Sequence, residues 1–380
     1  MNNGLYKILV ACDKFKGSVN AETATKMLAK GMKRAGKNLR IIKLPLADGG
    51  EGSGQVFSNH QPVKRKRIKT VNAVRKPLWM TYLEDEKGRF FVESCQVTGP
   101  GKLKSEEKDP KQTSTFGLGL CLQKLLKKGA KDLHVFLGGS ATNDGGSGML
   151  EGLGWTFYDK NGKILHPRGG NLMDIHDIKK PDVDLFSGVS ITAWCDVDIP
   201  LLGPRGCSFM FAGQKGADPD DIKFLEKGMI HFQGLMSGIT GKKNDYLAPG
   251  AGSAGGLGFA IYSGLGGNLG QGAAFFAELV DLEKEIRKAD LVITGEGSLD
   301  MQSTRGKVIS QVISLTGKHH TACIVACGEN LLDEAFWKKL GIQKVYSIMD
   351  LTGDKENAIR CASDYLFCIG EKIIYDVRLA

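Results

Sequence analysis

Five apolar segments of the sequence each run directly into a short loop of glycine, acidic and hydroxyl residues. In chain order the loops are Asp13–Ser18, Asp48–Gly52, Gly138–Gly146, Asp196–Asp198 and Gly295–Asp300. Loops of this composition expose backbone N–H groups that can hold phosphate oxygens. In open α/β sheets, ligands bind outside the carboxyl ends of the strands. The five loops together therefore predict one shared ligand-binding cleft, although any single loop could be an ordinary turn.

The third loop lies within LGGSATNDGGSG, and it has the glycine content of a phosphate loop without the lysine of a P-loop. Its candidate phosphate-binding residues offer neutral donors: Gly139, Ser140, Thr142 and Asn143. The cations that could neutralise a transferring phosphoryl group stand in other loops: Lys14, Lys16, Arg305 and Lys307.

The loops also carry more acids than one general base requires: Asp13, Asp48, Glu51, Asp144, Asp196, Asp198, Glu296 and Asp300. A surplus of carboxylates beside phosphate-binding loops indicates Mg²⁺, which prefers oxygen ligands. Phosphoryl transfer from a nucleotide to a hydroxyl fits this set, because it needs positioning, charge neutralisation and one acid for the acceptor.

Each of these residues also has a structural interpretation that the sequence leaves open. Asp13 and Asp48 could cap a turn or a helix, and Asp144 could form a turn before its two glycines. The lysines could simply be exposed. Asp196 and Asp198 alternate along a strand end, so only one of them is expected to reach the cleft.

The elements that position the first loops form a βαβ unit. Tyr6–Cys12 and Ile41–Ala47 are apolar runs typical of strands, and Ala21–Gly36 has one apolar helical face with Asn20 as its N-cap. The C-terminal part repeats this order. Strands are predicted over Ala289–Thr294, Thr321–Ala326 and Lys344–Ile348, and helices over Lys307–Thr316, Leu331–Leu340 and Asn357–Ala380.

The middle of the chain differs from both ends. Thr81–Glu84 and Arg89–Glu93 are expected to pair as an antiparallel hairpin, and short strands with glycine turns follow. The sequence thus predicts an α/β protein with a doubly wound parallel-sheet domain built from both termini, residues 1–68 and 286–380. An α+β domain, residues 69–285, is inserted into it, and the cleft is expected between the two domains.

Composition limits the class of protein. The chain has 380 residues, of which 42% are hydrophobic and 24% charged, a balance typical of globular proteins. Nine cysteines without a CxxC pair and seven scattered histidines indicate reduced thiols and no zinc site. No signal peptide or membrane span is expected, so we predict a cytoplasmic protein without a membrane partner. The net charge of +9 and Lys64–Arg67 leave a nucleic-acid-binding protein only as a remote alternative.

The ordered motifs resemble those of the bacterial glycerate kinases. They are DKFKGS (Asp13–Ser18), LPLADGGEGS (Leu44–Ser53), TFGLG (Thr115–Gly119), GGSATNDGGSGML (Gly138–Leu150), CDVDIPLLGPRG (Cys195–Gly206), FAGQKGA (Phe211–Ala217), PGAGSAGGLG (Pro249–Gly258) and DLVITGEGSLDMQSTRGK (Asp290–Lys307). The resemblance implies a flavodoxin-like domain with an inserted α+β domain. It also implies an ATP- and Mg²⁺-dependent kinase that phosphorylates D-glycerate, generally to 2-phosphoglycerate, with 3-phosphoglycerate as the alternative product.

With that reaction in mind, chemistry suggests a role for each candidate. Asp196 would orient or deprotonate the accepting hydroxyl, with Lys16 or Lys307 neutralising the phosphoryl group. Asp13, Ser18 and Arg305 would bind the substrate. Mg²⁺ would be held by one or two of Asp48, Glu296 and Asp300. Whether the loop of Gly139, Ser140, Thr142 and Asn143 binds ATP or glycerate stays open.

The same residues raise two other enzyme classes as alternatives. A kinase for another small hydroxy acid is the main alternative. A dinucleotide oxidoreductase is disfavoured, because no GxGxxG motif opens a helix after the first strand. The sequence leaves the oligomeric state open, with a homodimer as one option.

Overall fold

The structure is a computed structural model that describes residues 5–195, 197–301, 303 and 307–379. The chain divides into two compact units. Unit 1 comprises Met1–Asp48, Gln55–His60 and Gly272–Ala380, and unit 2 comprises Gly49–Gly54 and Gln61–Gln271.

The strands of the described residues are numbered in chain order. They are β1 (Tyr6–Cys12), β2 (Leu39–Lys43), β3 (Val63–Val71), β4 (Pro77–Asp85), β5 (Arg89–Glu93), β6 (Asp132–Leu137), β7 (Thr156–Tyr158), β8 (Ile164–Leu165), β9 (Asp177–Lys179), β10 (Ser190–Cys195), β11 (Asn268–Gln271), β12 (Leu291–Leu299), β13 (Ala322–Asn330) and β14 (Lys344–Ser347).

The α-helices are numbered in the same way. They are α1 (Ala21–Ala35), α2 (Ser53–His60), α3 (Cys95–Thr98), α4 (Phe116–Lys127), α5 (Ser147–Gly152), α6 (Cys207–Phe211), α7 (Pro219–Thr240), α8 (Ser253–Phe259), α9 (Gly272–Leu279), α10 (Leu282–Ile286), α11 (Val308–Lys318), α12 (Glu334–Lys339), α13 (Met349–Thr352), α14 (Lys355–Arg360) and α15 (Ala362–Leu379).

Unit 1 is built on a five-stranded, all-parallel sheet in the order β14-β13-β12-β1-β2. Counted within the unit, this order is 2-1-3-4-5, the arrangement of flavodoxin-like doubly wound folds. The predicted fold class is therefore confirmed for this unit. The strand order reverses between β1 and β12, and this reversal is where such folds bind ligands.

Helices cover both faces of the unit 1 sheet, which explains the continuous apolar runs in its inner strands β1, β12 and β13. On one face Ile8 and Val10 pack with Leu28 of α1 and Leu366 of α15. On the other face lie α9, α10 and α11, which contribute Ala273, Leu282, Ile286, Val308 and Val312. Because helix α1 begins as expected, with the N–H of Thr23 donating to Asn20 Oδ1 at 2.8 Å, the predicted N-cap is confirmed.

Unit 2 is built on a six-stranded mixed sheet in the order β11-β10-β6-β5-β4-β3. Its β3–β4 and β4–β5 pairs are antiparallel, and the remaining pairs are parallel. A smaller sheet, β8-β7-β9, completes the unit. The run Lys64–Arg67 is exposed on the edge strand β3, where charged side chains discourage pairing with another chain.

The boundaries of the units differ from those expected at residues 68 and 286. Strand β3 pairs with β4 along its whole length, from Val63 opposite Asp85 to Val71 opposite Pro77, so unit 2 begins before it. Helices α9 and α10 bury their apolar side chains in the core of unit 1, so unit 1 resumes at Gly272. The expectation of a cleft between the units stays a prediction.

Several predicted elements end at different residues. Strand β2 ends at Lys43 and not at Ala47, and β13 continues past Ala326 to Asn330. Strand β12 does not stop at Thr294 but continues to Leu299, because it pairs in parallel with β13 up to Asn330. The predicted C-terminal helix is two helices, α14 and α15.

Candidate active site

In unit 1 the loop after β1 lies against the C-terminal half of β12, at the point where the strand order reverses. The N–H of Asp13 donates to the carbonyl of Gly295 at 2.9 Å, which fixes the end of β1 against β12. Leu46 N–H bonds to the carbonyl of Cys12 at 2.9 Å, so the chain leading to Asp48 follows β1 in the same direction. The sequence-predicted residues Asp13, Asp48 and Glu296 are thereby brought to one edge of this sheet.

These three carboxylates are buried and repel one another. Burial raises the pKa of Asp13 well above its usual range, and the charges of Asp48 and Glu296 raise it further. Lys14 opposes both effects: its Nζ lies 2.7 Å from Asp48 Oδ1, and its backbone N–H donates to Asp13 Oδ1 at 2.7 Å. The arrangement concentrates negative charge in a site of low solvent access, where a cation would be strongly attracted.

Glu296 is linked to the start of α11. Burial raises the pKa of this carboxyl, while the Lys307 ammonium and the Ser303 hydroxyl lower it. Among the described residues, no donor reaches Glu296 Oε1, although this atom is fully buried. Lys307 is half-buried and immediately precedes α11, so it stands beside the acid cluster as the sequence led us to expect.

Asp300 is held in a turn by Ser303. The N–H of Ser303 donates to Asp300 Oδ1 at 3.0 Å, and the Ser303 hydroxyl accepts from the N–H of Asp300 at 3.0 Å. This reciprocal pair of hydrogen bonds gives Asp300 a structural role at the end of β12. The charge of Asp300 also raises the pKa of Glu296.

The segment Asp13–Ser18 is a tight turn in which the N–H of Phe15 donates to the carbonyl of Val19 and the N–H of Ser18 donates to the carbonyl of Phe15. Lys16 and Ser18 are both exposed on this turn. The Ser18 hydroxyl donates to the carbonyl of Ile359 at 2.6 Å, so in this structure its proton is used to hold the turn against the C-terminal region of unit 1. The role of Lys16 stays a prediction.

Two of the candidate residues, Asp196 and Arg305, lie outside the described residues, so their roles stay predictions. Asp198, which follows Asp196 in the same loop, is exposed.

In unit 2 the loop Gly138–Gly146 turns most of its polar side chains inward. Gly139 and Ser140 are partly exposed, whereas Thr142 and Asn143 are fully buried. The hydroxyls of Ser140 and Thr142 are 2.6 Å apart, and Asn143 Nδ2 donates to Ser208 Oγ at 3.2 Å. Gly139 and Ser140 are thus the loop residues open to a ligand, with Thr142 and Asn143 behind them.

Asp144 holds this loop in shape. Its carboxylate is fully buried and accepts from the N–H groups of Thr115, Gly146 and Gly148 and from the Thr115 hydroxyl, at 2.7 to 3.2 Å. Burial raises the pKa of this acid, and the four donors oppose the rise. Asp144 is therefore the turn-forming residue that its position before two glycines allowed.

The loop packs tightly against the segment Pro249–Gly258. The N–H of Gly145 donates to the carbonyl of Gly255 at 2.9 Å. A Cβ on Gly255 would lie 2.0 Å from the carbonyl oxygen of Thr142. The two glycine-rich motifs thus pack closely against each other, because only glycine permits this approach of the two backbones.

Comparison with known proteins agrees with these observations. The sequence model of the glycerate kinase family matches residues 8–378. The chain belongs to the glycerate kinase family. It is 32% identical to the glycerate kinase of Bacillus subtilis (strain 168), with 98% of each chain covered. It is also 32% identical to the glycerate 2-kinase of Escherichia coli (strain K12), with 94% of each chain covered.

A solved structure gives the same result for the fold. The crystal structure described as glycerate kinase 2 from Salmonella typhimurium LT2 superposes with a TM-score of 0.76 at 28% identity, covering 99% of each chain. Membership of the glycerate kinase family makes this protein a kinase, and the phosphoryl donor of such an enzyme is ATP. None of the helices in the described part of the chain could cross a membrane.

One lysine that is buried in the structure was not identified from the sequence. Lys215, in the motif FAGQKGA, is 9% exposed, and its Nζ donates to the carbonyl of Thr142 at 2.8 Å. The sequence signal was weak but present, because Lys215 lies between Gln214 and Gly216 in one of the motifs that carry the family resemblance. Lys215 supplies a positive charge behind the loop that has no lysine of its own.

Proposed function

We propose that the protein transfers the γ-phosphoryl group of ATP to D-glycerate and forms 2-phospho-D-glycerate. The observation that carries the proposal is the group formed by Asp13, Asp48, Lys14 and Glu296 at the strand-order reversal of unit 1. Phosphoryl transfer needs fixed charges of both signs around the reacting phosphate, and this group supplies them from the ends of neighbouring strands.

Mg²⁺ fits the oxygen ligands that this group offers. Three buried carboxylates repel one another there, and Glu296 Oε1 has no donor among the described residues. Within the described residues no group of three His, Cys, Asp or Glu is arranged to hold a metal alone. Mg²⁺ is usually held by one or two carboxylates together with water and substrate phosphates. We infer that Glu296 and Asp48 hold the ion, which would neutralise charge on the ATP phosphates.

The chain's own residues have distinct tasks in this proposal. Lys16 and Lys307 neutralise the transferring phosphoryl group, and Ser18 and Arg305 bind the glycerate carboxylate. Asp196 is proposed to take the proton of the accepting hydroxyl. Asp13, which is buried beside Asp48, offers a second proton acceptor.

The loop of unit 2 is proposed to bind an oxyanion of one substrate. Gly139 and Ser140 present the accessible donors, and Thr142 and Asn143 support them from behind. Neutral donors of this kind bind phosphate or carboxylate without competing for protons.

The relative from Escherichia coli is a glycerate 2-kinase, which supports 2-phosphoglycerate as the product. Phosphorus NMR of the product made from D-glycerate and ATP tests activity, substrate and regiochemistry together. A 2-phosphoglycerate resonance is expected. A 3-phosphoglycerate resonance would overturn the regiochemistry, and turnover of another hydroxy acid without turnover of D-glycerate would overturn the substrate. The cytoplasmic location and the oligomeric state stay predictions.

A further inference from the structure

Lys215 is a buried ammonium placed directly behind the loop Ser140–Asn143. It ends the short helical turn between α6 and α7, and its Nζ donates to the carbonyl of Thr142 at 2.8 Å. Within the part of the chain that the structure describes, this ammonium forms no ion pair, which is rare for a buried charge. A charge in this position needs an explanation other than surface solubility.

The groups that face Lys215 do not neutralise it. Asp144 attracts it through space, but that carboxylate is already occupied by four hydrogen-bond donors. Cys207 at the start of α6 is its other neighbour, and burial raises the pKa of that thiol so far that it stays neutral. Glu226 of α7 lies beside Cys207 and accepts from the N–H of Gly203 at 2.7 Å.

A second observation points to a ligand at the same loop. Asn143, next to Thr142 in the chain, is fully buried, and its Nδ2 donates to the Ser208 hydroxyl. Its Oδ1 has no donor among the described residues. A buried acceptor without a donor is costly, so Asn143 Oδ1 offers a place for a hydroxyl or N–H donor of a ligand, close to a lysine that has no ion pair among the described residues.

We propose that Lys215 is a positioning residue that gives the neutral loop Gly139–Asn143 the positive charge it needs to bind an oxyanion. The ammonium holds the Thr142 carbonyl by a hydrogen bond, so that this carbonyl does not face the ligand. Its charge attracts the oxyanion from the other side of the loop. The oxyanion is a carboxylate or a phosphate, and the inference rests on the proposed function in taking it from D-glycerate or from the nucleotide.

This arrangement has a measurable consequence. Burial lowers the pKa of Lys215 to about 8. A bound oxyanion favours the charged form, so binding near pH 8 takes up about half a proton at this residue. At about pH 6 the lysine is already protonated, and the uptake at this residue disappears.

Isothermal titration calorimetry in two buffers of different ionisation enthalpy measures this uptake. D-glycerate and ADP are titrated separately, which identifies the substrate that supplies the oxyanion. In Lys215→Met, the Kd for that ligand is expected to rise by about ten- to a hundredfold, and the pH 8 uptake to vanish. Lys215→Arg keeps a permanent charge and is expected to restore affinity without proton uptake. Lys111→Met, which removes an ion pair with Asp221 on the same unit, is the control.

Thermal unfolding of each variant separates a folding defect from a binding defect. If Lys215→Met binds both ligands with wild-type affinity and wild-type proton uptake, the inference is overturned, even when D-glycerate is phosphorylated normally. If the wild type shows uptake that depends on Lys215 but does not phosphorylate D-glycerate, the proposed function fails and the inference stands.

Discussion

Lys14 joins two acids that leave the sheet of unit 1 on neighbouring strands. Its Nζ lies 2.7 Å from Asp48 Oδ1, and its backbone N–H lies 2.7 Å from Asp13 Oδ1. Because the pair is largely buried, it is screened less than a surface ion pair and holds the two carboxylates at a fixed spacing. The consequences of this contact can be measured.

Lys14→Met leaves the buried acids without their cation. We expect kcat to fall by about 10² to 10³, since the loss of one preorganised charge at a phosphoryl-transfer site has effects of this size. Steady-state kinetics with D-glycerate and ATP provides the measurement. Lys66→Met breaks an ion pair at the surface between Lys66 of β3 and Glu84 of β4, and it should leave kcat unchanged. Equal losses in both variants would argue against a specific role for Lys14.

Asp196→Asn is expected to lower kcat by about 10² to 10⁴ and to remove the acid limb of the pH profile. Asp13→Asn should mainly raise the KM for D-glycerate, as suits a substrate-binding residue. The pH profiles of kcat for the two variants show whether Asp196 or Asp13 is the general base. If Asp13→Asn instead causes the larger fall in kcat and removes the acid limb, Asp13 is the base.

Removal of the metal should stop turnover, and EDTA is expected to abolish the activity of the wild type. In thermal unfolding, MgCl₂ with ADP should raise Tm by more than ADP with EDTA, because the ion binds only the folded protein. In Glu296→Gln this metal-dependent increment is expected to disappear. Glu329→Gln, which removes the half-buried partner of the exposed Lys355 in the same unit, should keep this increment.

Lys215→Met should change stability in a pH-dependent way. The folded protein lowers the pKa of Lys215 from 10.5 to about 8, so between these values the folded state binds fewer protons than the unfolded state. The stability of the wild type relative to the variant therefore rises across this window, by up to about 3 kcal/mol. Denaturant titrations at both ends of the window measure the difference. A pH-independent difference would show that folding leaves the pKa of Lys215 at its unfolded value.

Gly145→Ala tests the packing of the loop in unit 2. Gly145 has φ +64°, and an added Cβ would lie 2.8 Å from Phe232 and 2.9 Å from the sulfur of Met229. Gly162 has φ +74° and open space around it, so Gly162→Ala carries only the backbone cost, about 1 kcal/mol. We expect Gly145→Ala to lower the free energy of unfolding by at least about 2 kcal/mol more. Equal losses would show that the loop can shift to accept the methyl group.

Much of unit 1 could be predicted from the sequence, because its signals are local. The run Ile8–Cys12 of β1 is apolar and buried, as a strand covered on both faces must be, and Asn20 caps α1 through its own side chain. The ordered motifs predicted the glycerate kinase family, and the family comparison confirmed it. The Asp13, Asp48 and Glu296 loops could be grouped because parallel strands end at the same edge of a sheet.

Other features depend on contacts between residues far apart in the chain, which local patterns do not contain. The length of β12 is set by its pairing with β13, and the burial of Thr142 by the approach of Gly255. Lys215 resembles any surface lysine in the sequence, and only the folded chain brings its ammonium to the Thr142 carbonyl, 73 residues away. The sequence by itself determined the chemical groups and the order of the elements. Tertiary structure decided which of those groups are buried together, because burial and charge coupling depend on distance in space.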